Sequence, residues 1–235
     1  MGSNPTPSAI PFCEPDVVRN RATQAQAAYD AIAEPYTDTF FDELDRKPFD
    51  RALIDAFART VAPGPALDVG SGPGHVARYL TGAGVETVAL DISHAMLRIA
   101  HRRPPPVDAV QASMTALPVR PGSLAGIAAF YSIIHLDRSA LTATFADWHR
   151  ALRGHGRVLV SFHGGVGELD RDELEGRSVE LTFTMLEPDE VSGALDGAGF
   201  AVDEVRVRDP YDFEAQTRRG YVSAYAAPSR RPSAE

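Results

Sequence analysis

The residues of this chain best suited to chemistry gather around one glycine-rich turn, Leu67-Asp68-Val69-Gly70-Ser71-Gly72-Pro73-Gly74-His75. Glycine at alternate positions lets the backbone approach a ligand with no side chain in the way. Asp68 precedes the first of these glycines, and Asp91 closes the next short apolar run. A carboxylate at Asp91 is suited to accept hydrogen bonds from the paired hydroxyls of a ribose, which selects a ligand containing a nucleoside. A dinucleotide fingerprint would place its third glycine where this chain has His75. Asp68 would also repel a pyrophosphate while receiving a cationic or amino-bearing ligand. Both features tilt the reading away from NAD. Further along, His135 follows Phe130-Tyr131-Ser132-Ile133-Ile134, and His163 ends a second apolar run. An imidazole titrates near neutrality, so either ring is a candidate general base for an acceptor that must lose a proton. The alternatives are a structural His135 that bonds a cofactor or the first helix, and a His163 that is a plain loop residue.

The elements that must position these residues alternate. Short apolar runs at 66–69, 87–90, 107–110, 124–130 and 157–162 read as strands. Helical patterns at 74–80, 93–102 and 138–152 separate them, and the prolines at 104–106 end the second of these. Strands separated by helices imply a parallel sheet covered on both faces. Two helices precede the first strand. One runs from Asp16, placed to cap it, and the other from Phe49 to Val61. Beyond Phe162 the pattern loosens into a polar excursion with a short strand at 179–185. The acidic run Glu168–Glu175 reads there as a solvated helix face. A helix at 188–198 and strands at 200–208 and 221–225 follow, the strands antiparallel at a sheet edge. The expected organisation is a loose segment over 1–15, one domain over 16–227 with its helical lid at 16–62, and a loose tail at 228–235.

Composition narrows the function classes. The chain has 235 residues, 44% of them hydrophobic, and 32 acidic against 23 basic side chains, for a net charge of -9. That balance argues against a general nucleic-acid binder, whose affinity rests on neutralising phosphates. No apolar stretch is long enough to span a bilayer. The single cysteine, Cys13, forms no internal disulfide and fits a reducing cytoplasm. Scattered histidines give no metal-ligand spacing. A small-molecule ligand is the better expectation.

Asp68-Val69-Gly70-Ser71-Gly72-Pro73-Gly74 resembles the first motif of the class I S-adenosylmethionine (SAM)-dependent methyltransferases, in its small actinobacterial small-molecule type. The resemblance implies a Rossmann-like α/β fold with a seven-stranded, mostly parallel sheet whose last strand is inserted antiparallel. It makes Asp91 the ribose acid with Ile92 beside the adenine, and Met96 a further cofactor contact. Gln111–Pro118 is similar to the segment that meets the adenine, with Ser113 where an Asp is usual and Met114 beside it. Tyr131 and Ser132 are expected to border the cofactor, with the Tyr131 ring as easily core as pocket. Tyr29-Asp30-Ala31-Ile32-Ala33-Glu34-Pro35-Tyr36 is similar to a lid motif whose tyrosines close over the methionyl end. Those two tyrosines are two turns apart at about 3.6 residues per turn, although Pro35 threatens the helix before Tyr36. A tyrosine face also attracts a sulfonium cation. The implied reaction moves a methyl group to a small-molecule acceptor, at oxygen or next at nitrogen, and leaves S-adenosylhomocysteine (SAH). A monomer or homodimer in secondary metabolism fits that type. The same fold without methyl transfer, as a SAM-binding or cyclising protein, is the alternative. In the tail, Arg208, Tyr211 and Arg219 are candidates to grip an acidic acceptor, against the reading of a surface ion-pair strip with Glu214.

Overall fold

Helix α1, Pro15–Phe40, opens the computed structural model, which describes residues 15–61 and 63–227 and side chains from residue 20 onward. The expectations for residues 1–14, Cys13 among them, and for 228–235 lie outside the described residues. Because α1 begins at Pro15, Asp16 falls inside the helix rather than at its cap position. The helix also runs through Pro35, contrary to the expected break. Burial explains why. Ala33 packs with Met96 and Ile99 while Tyr29 and Tyr36 lie against the same cluster, and this tertiary contact outweighs one lost backbone bond.

After a 3₁₀ turn at Glu43–Arg46 and helix α2, Pro48–Thr60, the alternating part begins. Strands β1 (Ala66–Val69), β2 (Thr87–Asp91), β3 (Asp108–Gln111), β4 (Leu124–Phe130) and β5 (Leu152–Gly164) are mutually parallel. Helices α3 (His75–Gly82), α4 (His94–Arg102) and α5 (Leu141–Ala151) connect them. Helix α5 is shorter than its pattern suggested, since Arg138–Ala140 winds as a separate 3₁₀ turn. The expected turn Gly154-His155-Gly156 is absorbed into β5, where the register against β4 shifts between Leu124 and Gly126. Helix α6 (Pro188–Gly197), β8 (Phe200–Arg208) and β9 (Arg218–Ala226) complete the sheet. Its order is β3-β2-β1-β4-β5-β9-β8, with β9 antiparallel between β5 and β8. This is the seven-stranded, mostly parallel Rossmann-like sheet that the sequence implied.

The strand pleat sends alternate residues to two separate cores. Leu67, Val69, Ile127, Ala129, Val158 and Val160 join the cluster containing Phe145 and Trp148. Ala66, Ala128 and Leu159 join the opposite one with Ile54, Phe57, Val76 and Leu80. Helices therefore cover both faces, and a crevice opens at the carboxyl ends of the strands. The sheet order reverses between β1 and β4, which is where such crevices bind ligands.

The excursion after β5 corrects the sequence reading. Strands β6 (Glu168–Leu174) and β7 (Arg177–Thr184) pair antiparallel as a separate two-stranded sheet, so the acidic run is a strand and not a helix face. Glu175 and Gly176, both at positive φ, supply the two-residue turn that a twisted hairpin favours. Leu181 of this hairpin packs on Ala25 and Ala28 of α1. Thr39 donates to Glu175 at 2.7 Å, and Gln24 donates to Glu180 at 2.6 Å. Helix and hairpin together roof the crevice.

Candidate active site

The floor of the crevice is the glycine turn. Gly70, Gly72 and Gly74 have φ of 70°, 53° and 80°, a region L side chains rarely adopt. Their roles differ. A Cβ on Gly70 would stand 2.2 Å from Cβ of Ser132, whose hydroxyl donates to the Val69 carbonyl at 2.7 Å. A Cβ on Gly74 would meet Ala100 at 2.9 Å, so that glycine serves the approach of α3 to α4. A Cβ on Gly72 would touch only Tyr36, at 3.9 Å, across open space.

Asp91 ends β2 beside this turn. Its Oδ2 accepts the Gly72 N–H at 2.7 Å and its Oδ1 accepts the Ser93 N–H at 2.8 Å. Burial pushes this carboxyl above its ordinary range despite those bonds. Each oxygen keeps a second lone pair. Ser93 caps α4 by accepting from Met96 N–H at 3.1 Å, and its hydroxyl donates to Asp30 of α1 at 2.6 Å. The preceding residue, Tyr29, has its hydroxyl 2.9 Å from Nε2 of His135. Two neighbouring residues thus pin α1 to opposite walls of the cleft.

The cleft so closed is lined by Tyr29, Tyr36, Gly70, Gly72, Asp91, Ile92, Ser113, Met114, Tyr131 and His135. The sequence-derived candidates Asp68, Ser71, Gly74 and Met96 do not line it. Asp68 is buried behind the turn and accepts the Ala77 N–H at 2.9 Å, satisfying a free donor in the first turn of α3. Burial pushes its carboxyl up to about 7, which weakens it as a fixed negative charge. Met96 is core. Ser113 bonds Thr115 locally at 2.8 Å. Ser132, expected beside Tyr131, lines the cleft too. Arg21, Ala25 and Asp137 also line it and were not singled out from the sequence; α1 and the loop after β4 bring them there.

A second cavity of about 510 Å³ opens beyond the cleft. Tyr29, Tyr36 and Tyr131 line both spaces and form the wall between them. Tyr29 and Tyr36 meet edge to face, with ring centres 5.6 Å apart. Burial raises the pKa of all three phenols, so they stay protonated near neutrality. His163 faces the second cavity, its Nδ1 2.7 Å from Thr217 Oγ1. Burial lowers His135 to about 4 and His163 to about 3, with Arg21 adding to the first and Arg219 to the second. Both rings should therefore remain neutral in the folded protein down to about pH 5. Imidazole resonances that titrate near the ordinary value of 6.5 would contradict this environment. The linked sign is definite: each unfolded ring takes up its proton first, so each contributes a loss of stability as pH falls below 6.5. Asp68 works in the opposite sense between its ordinary 3.8 and about 7.

Of the tail candidates, Arg208 and Arg219 are ion-paired, but not on the surface. Glu214 accepts from Arg208 at 2.6 Å and lies 3.1 Å from Lys47, with 3% of its side chain exposed. Burial alone would raise Glu214, yet Arg208, the Tyr211 N–H and Lys47 hold it at about 2. Asp50, fully buried on α2, accepts from Arg208 at 2.8 Å and from Tyr131 at 2.9 Å. Arg219 lines the second cavity, whereas Arg208 and Tyr211 stand behind it. Among the described residues no group of three or more His, Cys, Asp or Glu is placed to hold a metal, and no helix is long and apolar enough to cross a membrane.

Comparison with known proteins matches this geometry. A model of the methyltransferase domain fits residues 66–156. A demethylmenaquinone methyltransferase from Renibacterium salmoninarum is 26% identical over 144 residues, 60% of this chain and 59% of that protein. The chain thus spans less than two thirds of that relative's length. The structure of DhpI with SAH superposes with a TM-score of 0.69 at 21% identity, covering 89% of this chain and 98% of that one. Burkholderia thailandensis 1,6-didemethyltoxoflavin-N1-methyltransferase, with bound 1,6-didemethyltoxoflavin and SAH, gives 0.68 at 19% identity and covers 94% of each chain. Residues 66–156, which carry the glycine turn, Asp91 and His135, therefore match a methyltransferase domain model, and the chain as a whole shares the fold of solved SAM-dependent methyltransferases.

Proposed function

We propose that this chain transfers the methyl group of SAM to a small molecule held in the second cavity, leaving SAH. The observation that carries the reading is the shared tyrosine wall. One space is lined by a ribose-type carboxylate and a bare backbone turn, the other is large enough for a small organic molecule, and they meet at Tyr29, Tyr36 and Tyr131.

The residues present fit the cofactor. Asp91 retains lone pairs for two hydroxyls, and the space facing Gly72 is one that a Cβ would enter. Ile92 and Met114 offer apolar contact for a base, and Ser113 a small polar edge. When bound, SAM supplies an electrophilic methyl on a sulfonium. The protein's share is to hold the acceptor in line, exclude water and surround the positive charge with aromatic rings.

Neutral, weakly basic imidazoles suit an acceptor that ionises with little help. This favours an acidic hydroxyl or a carboxyl oxygen, with nitrogen second. His135 bonds Tyr29 and faces the cleft, so we assign it the positioning of the lid helix. His163 is the ring on the acceptor side. Replacing Tyr29 with Phe should lower stability by about 1 kcal/mol through the lost bond to His135. It should also weaken SAH binding, as the lid loses one anchor. A thermal midpoint and a dissociation constant both equal to the parent's would remove that role. Product analysis tests the reaction itself. SAH accumulating only with an acceptor supports transfer, and methylthioadenosine or no turnover of SAM supports the non-transferring alternative.

A further inference from the structure

On the reading that the second cavity holds the acceptor, we infer that Arg46 and Arg171 at its mouth select an organic anion. The acceptor is then an apolar, ring-bearing molecule whose anionic group lies away from the atom that is methylated.

The charges of the lining separate into an answered and an unanswered set. Lys47 and Arg219 are matched by Glu43 and Glu214, the two acids of the lining. Arg46 and Arg171 line the same space and have no carboxylate partner among the described residues. Neither lines the cofactor cleft, so their charges belong to the acceptor space alone.

The strand that carries Arg171 is built to present it. In Glu168-Leu169-Asp170-Arg171-Asp172-Glu173-Leu174 the pleat turns Leu169 and Arg171 into the cavity. A register shift between Arg171 and Glu173 then turns in Leu174 instead of an acid. The one cation of this segment, itself exposed, lines the cavity. Its acids do not line the cavity, and Glu168 and Asp170 are bonded by Arg21 and Thr182.

Arg46 supplies the other half. Its guanidinium lies 4.3 Å from the ring centre of Phe213, which is 46% exposed and stacked on Tyr211 at an interplanar angle of 10°. An exposed aromatic platform with a guanidinium over it suits a planar ring bearing negative charge. These cations stand against an overall charge of -9, so the long-range field does not account for them and local recognition does.

The test is calorimetric titration, with and without SAH, using naphthoate and the equally sized neutral naphthamide as probes. Naphthoate should bind about tenfold more tightly than naphthamide. Arg46→Gln and Arg171→Gln should each weaken naphthoate by about threefold to fivefold, and the double variant should erase the preference. Affinity for naphthamide and for SAH should stay as in the parent. Equal affinities for the two probes, no binding of either, or variants that weaken both alike would overturn the assignment. The two levels separate cleanly. Binding of SAH without an anion preference removes only the role of the arginines. An anion preference without SAH binding removes the methyl-transfer reading and leaves the anion site.

Discussion

Replacing Asp50 with Ala should lower folding stability by about 3–5 kcal/mol, the usual cost of removing one partner from a buried charge pair. Asp50 is fully buried and receives Arg208 on one oxygen and the hydroxyls of Tyr131 and Tyr221 on the other, the latter at 3.1 Å. Alanine leaves Arg208 with Glu214 as its one carboxylate partner among the described residues, and opens a void between α2 and β9. For a chain of this size the thermal midpoint should drop by about 10 °C. Asp50→Asn keeps the volume and part of the bonding, so its drop should be smaller. The consequence reaches the site, because Tyr131 stands in the wall between the two cavities. A midpoint within about 2 °C of the parent would show that the network contributes little beyond packing.

The second large effect is expected at Asp91. Its replacement by Ala should weaken SAH binding by about 1.5–3 kcal/mol, roughly tenfold to 150-fold. Part of that loss would come from the turn itself, because Asp91 holds the Gly72 N–H and the Ser93 N–H before any ligand arrives. Asn at this position keeps an acceptor for one of these donors, so its loss should be intermediate. A dissociation constant equal to the parent's would disconnect Asp91 from the cofactor.

The parts of this protein that were legible in its sequence are those set by local backbone demands. The alternate glycines announced a turn because positive φ excludes most other residues there, and all three adopt it. The apolar runs announced a parallel sheet because the central strands β1, β2 and β4 are buried on both faces. Asp68 has a local role that its nearness to the turn did not announce: its carboxylate accepts the Ala77 N–H in the first turn of α3.

What was not legible depends on chain segments that meet only in the fold. The run Glu168–Leu174 is too acidic to look like a strand, and the register shift that turns Leu174 inward disguises its alternation. Glu214 looked exposed because acids usually are. It is buried because Arg208 and Arg219, from the strands on either side of its loop, and Lys47, from a distant part of the chain, converge on it. Arg46 and Arg171 carried no motif at all. They gain meaning from the cavity that the 3₁₀ turn, the hairpin and the tail enclose together.

The central claim is that the crevice above the glycine turn binds SAM and its product. Calorimetric titration of the unaltered chain with SAH tests this most directly. A single saturable site, weakened in Asp91→Ala, is the predicted result. The absence of any binding heat or thermal shift at millimolar SAH would contradict the account.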